Sequence, residues 1–489
     1  MKRAKKTSNT RTRSSSRKRL KALQIVHPNA AGIDVGASSH YVAVRPDAVP
    51  AGKPAVRSFG TFTVDLDALV EWLKECAVDT VAMEATGVYW KPVFEKIEAA
   101  GIEAILVNAR HVKHVPGRKT DVKDCQWLQQ LHSYGLLEGS FCPTQDICRL
   151  RTLVRHRANL VSDAAQAVLH MQKALTQMNV QLHHVINDLC GETGLRIVRA
   201  ILNGQRDPEQ LVKLRDCQIT RSTPKEMEQA LQGDWKEELL FVLRQSLKAF
   251  EFCHEQMDEC DLEIEALLKS LPKATPVAKP EQAPAKDPLA AQDPKPKRPQ
   301  SRKRNEPEQD LGPELARICG TDLTKAHGLR ILSVLVIISE IGIDMNRWRS
   351  AKAFCSWLGL CPNNKISGGR ILSSRTRQVV NRASTALRMA ASGVAHTETW
   401  LGSFYRRMRA RLGPAGATTA TARKIATVVY HLLKNQEPFV DRDLELYEQR
   451  VYQNKLARLR KQARTLGYKL VELTQDQDVT TTATSELSE

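Results

Sequence analysis

The chain has 489 residues and a formal net charge of +19. That length allows about three domains of roughly 150 residues each, and the cationic excess favours a polyanionic partner through phosphate neutralisation and counterion release. The longest apolar run, Ile331 to Ile338, is far shorter than the roughly 20 residues that cross a bilayer, and the basic N-terminus lacks the apolar stretch of a secretory signal, so no membrane span is expected.

Residues 1–24, MKRAKKTSNTRTRSSSRKRLKALQ, form a basic, Ser-rich tail expected to be disordered when free and able to grip nucleic acid. Residues 25–150 alternate strand and helix signals. Gly32 to Val35 and Tyr41 to Arg45 read as paired strands, with Val56 to Val64 as a third. Leu66, Leu69, Val70 and Leu73 share one face of a helix over 66–76. Thr80 to Glu84 reads as a buried strand, 88–100 as a helix stopped by Gly101, 102–107 as a strand and 121–134 as a helix. Three strands followed by helix–strand alternation describe a mixed sheet with flanking helices, the order of the ribonuclease H fold.

Residues 151–270 change character. Leu160, Ala164, Ala167, Met171, Ala174 and Met178 step by four and three, a coiled-coil seam of about three heptads. A second long helix is expected over 235–268, and the two together read as an antiparallel helical arm or an ordinary bundle. Residues 271–312 turn to Pro, Lys, Ala and Gln and read as a linker. Residues 313–440 form a mostly helical unit: a buried helix in HGLRILSVLVIISEIG, a polar loop NNKISGGRILSSRTR, and helices at about 379–397 and 420–433. Residues 441–489 give a charged helix and a polar tail. The fold class is therefore α/β plus all-α.

Eleven cysteines occur without a CxxC pair, and the spacings 142 to 148 and 355 to 361 match no common zinc pattern, so reduced, mostly buried thiols are expected. His111 and His114 share a helical spacing, but with no Cys ligand near them a surface or phosphate-contacting pair is a better reading than a metal site.

Four carboxylates carry the chemistry. Asp34 lies in AGIDVGASSHYVAV, Glu84 ends DTVAMEATG, and Asp121 and Asp124 open the helix of GRKTDVKDCQWL. Oxygen ligands at strand ends and on one helical face suit a hard divalent cation such as Mg²⁺. Asp121 and Asp124, three apart, share a face and would repel unless a cation joins them. Acidic residues also favour helix N-termini without any metal. Lys119 and Lys123 flank the pair and are placed to contact a phosphate. A second constellation surrounds Ser367 in KISGGR. Lys365, Arg370, Arg375 and Arg377 can hold phosphates, and Gly368 and Gly369 allow close backbone approach. On the residues alone this is a phosphate-binding loop, with Ser373 and Ser374 as plausible as Ser367 for a nucleophile.

Together GIDVGASSHYVAV, MEATGVYWKPVFEKI, VNARHVKHVPGRKTDVKDCQWLQQLHSYGLLEGSF and SWLGLCPNNKISGGR resemble the DEDD transposases of bacterial insertion sequences (insertion sequence 110 type), understood as bridge-RNA-guided recombinases. The resemblance covers roughly residues 25–180 and 325–435. It implies a RuvC-like domain and a C-terminal transposase domain, with Asp34, Glu84, Asp121 and Asp124 binding Mg²⁺ and Ser367 forming a covalent phosphoserine link to DNA. It further implies exchange through a Holliday junction, a structured noncoding guide RNA, donor and target DNA as partners, and dimers pairing into tetramers in which the tetrad of one subunit meets the serine of another. The helical arm would serve that assembly, in the bacterial cytoplasm at the nucleoid. The chain departs from the family pattern in its 271–312 insertion and in Arg382 to Arg388, where a Gly-Asn pair is usual.

Three other readings stand beside this one. A metal-only junction-resolving nuclease would use water as nucleophile. An actin-like ATPase would need a second Asp-Gly phosphate turn, and Asp344 lacks the following Gly. A noncatalytic RNA-binding protein would leave the acidic residues without a role.

Overall fold

The computed structural model describes residues 24–85, 87–107, 120–217, 219–275 and 304–471. Residues 1–23, His111, His114, Lys119, residues 276–303 of the expected linker and the polar tail from 472 lie outside the described residues. The chain divides into two compact units, at 142/143.

The first unit is a five-stranded sheet in the order β3-β2-β1-β4-β5, formed by β1 (Ala30–Val35), β2 (His40–Ala43), β3 (Val56–Phe59), β4 (Thr80–Glu84) and β5 (Glu103–Val107). β1, β2 and β3 are antiparallel neighbours, whereas β1, β4 and β5 run parallel. Parallel pairs need a crossover, supplied by α1 (Thr63–Glu75) and α2 (Trp90–Ala99). This is the mixed sheet with flanking helices that the alternation predicts, in RuvC-like order. The third strand ends earlier than expected. Asp65 accepts a hydrogen bond from the Phe62 backbone N–H at 3.1 Å, and this cap starts α1 at Thr63, so Val64 is helical.

Side chains alternate across the sheet, which gives it two distinct faces. Ile33, Val35, Val81 and Met83 join Leu69, Leu73, Val93 and Ile97 in one core against α1 and α2. The opposite face carries Ala30, Gly32 and Asp34 on β1 with Thr80, Ala82 and Glu84 on β4, and α3 (Asp121–Ser133) covers it through Leu128. Small residues there let the helix come close. A Cβ on Gly32 would collide with the backbone of Cys125 and Gln129.

The second unit begins with α4 (Gln145–Gln177), and its long partner is α9 (Glu237–Ser270). They are antiparallel. Cys260 Sγ donates to the Leu153 carbonyl at 3.5 Å near one end, and Asp234 N–H donates to the Met178 carbonyl at 2.8 Å near the other. All six seam residues from Leu160 to Met178 are buried, which confirms the four-and-three spacing. Between these helices lie four short ones, α5 (Leu182–Val185), α6 (Glu192–Leu202), α7 (Pro208–Val212) and α8 (Pro224–Ala230), which extend the core through Ile197, Leu211, Met227 and Leu231. The sequence pattern did not forecast this cap.

The remainder comprises α10 (Gly312–Cys319), α11 (Ile331–Ile341), α12 (Ala351–Trp357), a hairpin of β6 (Lys365–Ser367) and β7 (Arg370–Ser373), α13 (Arg382–Gly393), α14 (Trp400–Asn435) and α15 (Leu444–Thr465). α11 packs against α4 and α13. Arg155 of α4 donates to both Glu340 carboxylate oxygens at 2.8 and 2.9 Å, and Arg151 donates to the Ser339 and Glu340 carbonyls. The segment read as a polar loop is the hairpin. α14 is two helical stretches that meet at Gly413, which is non-helical (φ 75°), so the last expected core helix begins at about Pro414, some six residues earlier than expected. The Gly-Pro dipeptide is a helix end followed by a helix start, with the proline in the first turn of the second stretch, where its missing N–H costs nothing.

Candidate active site

Asp34 and Glu84 are neighbours by register. β1 and β4 pair in parallel from Ala30 beside Thr80 to Ile33 beside Met83, so the next pair in line is Asp34 with Glu84, on strands about 4.8 Å apart. Both lie on the face covered by α3, and both are half-buried.

The direction of α3 brings in the other two carboxylates. Gln129 donates to the Ala30 carbonyl at 3.2 Å, and His132 Nε2 lies 2.9 Å from Thr80 Oγ1. The carboxyl half of α3 therefore sits at the start of β1 and β4, and the helix runs antiparallel to them. From Ala30 to Asp34 a strand advances about 13 Å. Back from Gln129 to Asp121 a helix retreats about 12 Å. The first turn of α3, with Asp121 exposed and Asp124 half-buried, thus reaches the strand ends that carry Asp34 and Glu84.

Cys125 lies in this array. Its thiol is pushed up to about 12, first by burial, then by the negative charges of Asp34 and Asp124. Those two carboxylates, from different elements, act on one buried atom. Sequence reasoning passed over Cys125 and Gly32, whose roles depend on a contact between segments about a hundred residues apart. Thr120 caps α3, with its side chain accepting from Lys123 N–H at 3.4 Å, and the Lys123 side chain is exposed.

Four hard oxygen donors at one sheet end fit a divalent cation in chemistry. Among the described residues no three His, Cys, Asp or Glu side chains are yet gathered into a metal-holding cluster. The arrangement is a set of open carboxylates rather than a closed shell.

Ser367 belongs to the second unit. It ends β6 and pairs with Arg370 across a two-residue turn, and Gly368 and Gly369 both have positive φ (53° and 75°). Two such residues make the tight hairpin turn whose twist matches its strands. Lys365 pairs with Ser373, whose hydroxyl accepts from Arg375 N–H at 3.3 Å. Ser367, Lys365, Arg370, Ser374 and Arg375 are exposed, while Ser373 is half-buried. Arg377 donates to the Ser356 carbonyl at 3.0 Å and thereby ties the hairpin to the end of α12. Ile366 and Ile371, opposite each other, are about three-fifths exposed, so the hairpin stands out from the core.

Two family models match the chain. The model for DEDD transposases of the IS110 type matches residues 31–180, and the model described as the transposase IS116/IS110/IS902 family matches residues 321–406. The first contains all four carboxylates and the second contains Ser367. No curated protein matches the chain. Among the described residues no helix is long and apolar enough to cross a membrane.

Proposed function

We propose, from the premise that this chain belongs to the IS110 family of DEDD transposases, that it cuts and rejoins DNA with a serine nucleophile and four metal-binding carboxylates. The family establishes a transposase acting on DNA and the use of a divalent metal. The assignment of Mg²⁺ to Asp34, Glu84, Asp121 and Asp124 rests chiefly on one observation: α3 runs antiparallel to β1 and β4, so its first turn meets their carboxyl ends. When bound, such an ion would supply Lewis-acid stabilisation of charge on the phosphate oxygens.

In this reading Ser367 Oγ gives up its proton and attacks phosphorus. An Oγ–P bond forms, one P–O ester bond of the strand breaks, and the deoxyribose oxygen leaves as a hydroxyl, taking up the proton that the serine releases. The hydroxyl of another strand end reverses the step and rejoins DNA through a Holliday junction. Lys123, Lys365, Arg370 and Arg375 would hold the phosphodiester backbone, together with Lys119. Arg377 fastens the hairpin base and so positions the serine. A structured noncoding RNA from the element would select donor and target, and dimers pairing into tetramers would bring the carboxylates of one subunit to the serine of another. The proposed location is the cytoplasm, at the nucleoid.

The test incubates the protein with element-end DNA, RNA transcribed from the flanking noncoding region, and Mg²⁺. A protein–DNA adduct stable to denaturant is expected. Ser367→Ala should abolish it while DNA binding persists, and an adduct that survives the change overturns the serine assignment. The alternative is a junction-resolving nuclease that uses water as nucleophile, with Ser367 only binding phosphate. Free DNA ends without attached protein would establish that alternative.

A further inference from the structure

The chain beyond residue 406 lies outside both matched segments, and through residue 471 it carries 14 Lys and Arg against five Asp and Glu. Two features occur together there. The first is a group of cations at the root of α15: Arg407, Arg423 and Lys424 of α14, and Arg442 just before α15 begins. Lys424 is half-buried and, among the described residues, makes no hydrogen bond or ion pair. Its ammonium is pushed down by burial and then by the positive charges of Arg442, Arg423 and Arg407.

Three of the four carboxylates between 441 and 448 are engaged with other groups, and the fourth, Glu445, is exposed. Asp441 binds His327 at 2.7 Å, Asp443 caps α15 through Leu446 N–H at 3.0 Å, and Glu448 accepts from Ser403 at 2.9 Å. Aromatic rings wall the group. Arg442 lies 4.9 Å from the Trp400 ring, Arg407 lies 5.5 Å from the Tyr447 ring and donates to its hydroxyl at 2.8 Å, and the two rings are 5.8 Å apart. Trp400 is 2% exposed, and its indole N–H is a buried donor without an acceptor.

The second feature is α15 itself, none of whose residues is buried. After Glu448 the helix holds Arg450, Lys455, Arg458, Arg460, Lys461 and Arg464 and no acidic residue. Among the described residues none of the six forms an ion pair. At 100° per residue they occupy one broad side, with Tyr452, Leu456, Leu459 and Ala463 on the other. Like charges held this close repel one another, and a polyanion on the cationic side relieves that repulsion.

We propose that α15 and the cation group at its root form a track for the phosphate backbone of duplex DNA, separate from the catalytic residues. The dimensions favour DNA over duplex RNA. A helix with its side chains is about 10–12 Å across, and the B-form major groove is about 12 Å wide. The A-form major groove is deep and narrow and does not admit it. The 22 residues of α15 extend about 33 Å, close to one helical turn of duplex.

The test uses the full-length protein, a random-sequence DNA duplex and the RNA duplex of the same sequence, with binding followed by fluorescence anisotropy across a salt series. The exposed triple variant Arg458→Gln/Lys461→Gln/Arg464→Gln should weaken DNA binding at least tenfold and lower the slope of log affinity against log salt by about 2–3. Lys424→Gln, measured separately, should lower the slope by about 1. An unchanged slope in both variants overturns the proposal, as does a loss confined to the RNA duplex. A change of oligomeric state with the slope preserved also overturns it, since α15 would then be a protein interface. The adduct assay for Ser367 reads a different step, so either reading can fail alone.

Discussion

Gly32 and Gln129 meet backbone to backbone: a single added carbon on the strand residue would strike the amide of the helix residue. This contact sets how close α3 lies to β1, and so how close its first-turn carboxylates come to Asp34. Gly32→Ala is expected to push the helix away, at a cost of about 1–3 kcal/mol in stability, and to reduce Mg²⁺-dependent DNA cleavage. Thermal melting and a cleavage assay at graded Mg²⁺ measure the two effects. An unchanged melt with full cleavage would show that the helix tolerates a larger spacing.

His132 makes the sheet unit sensitive to acid. The ring is buried against Thr80, stacks on His27 at 4.9 Å, and has its pKa pushed down from 6.5 to about 4, first by burial and then by the His27 charge. The unfolded chain therefore binds more protons than the folded one between those values. The contribution is complete above about pH 6.5 and is lost as pH falls towards about 4. His132→Gln should flatten that part of the stability profile, read as melting temperature against pH.

The arm contains a buried ion pair, Arg157 with Asp261, joined by two hydrogen bonds, the longer at 2.8 Å; Arg157 also donates to the Asn305 carbonyl at 2.9 Å. Arg157→Met alone leaves a buried carboxylate without its partner and should cost roughly 3–5 kcal/mol. Adding Asp261→Leu should recover most of that loss. Urea denaturation of the two variants and the parent gives the comparison, and equal midpoints for all three would mean that the pair is neutral in both senses.

Gly369 has φ of 75° in the turn next to Ser367. Gly369→Val should disfavour this turn by about 1–2 kcal/mol and slow adduct formation without lowering the melting temperature, because the hairpin is exposed. Adduct yield over time is the measurement, and a rate equal to the parent's would separate the turn geometry from the chemistry.

Much of this architecture was legible in the sequence where one pattern dominates. The run TVAME has buried neighbours on both faces and reads as a central strand, and the spacing from Leu160 to Met178 reads as a seam because every step buries a side chain. The hairpin at Ser367 was not legible, since Ile366 and Ile371 pair in solvent and the flanking polar residues give no alternation. Asp34 and Glu84 were readable as the ends of apolar runs. Their common face with α3 was not, because it depends on the long-range approach of Gln129 to Gly32. The cations of α14 and α15 were visible only as scattered basic residues, and the fold groups Arg407 with Arg442.

α4 departs from the base of its unit and α9 returns to the same place, each about 50 Å long, and the four short helices between them fold back along the pair, where Arg199 of α6 donates to Glu251 of α9 at 2.7 Å. Such a doubled stem works as a ruler. Deleting seven residues from each helix beyond Arg157 and before Asp261 would draw the tip inward by about 10 Å, leave the anchoring contacts at Glu340 in place, and require the short helices to re-seat along the shortened pair. The spacing between whatever the tip grasps and whatever the base grasps is then adjustable in whole heptads, independently of any group that breaks or joins a strand.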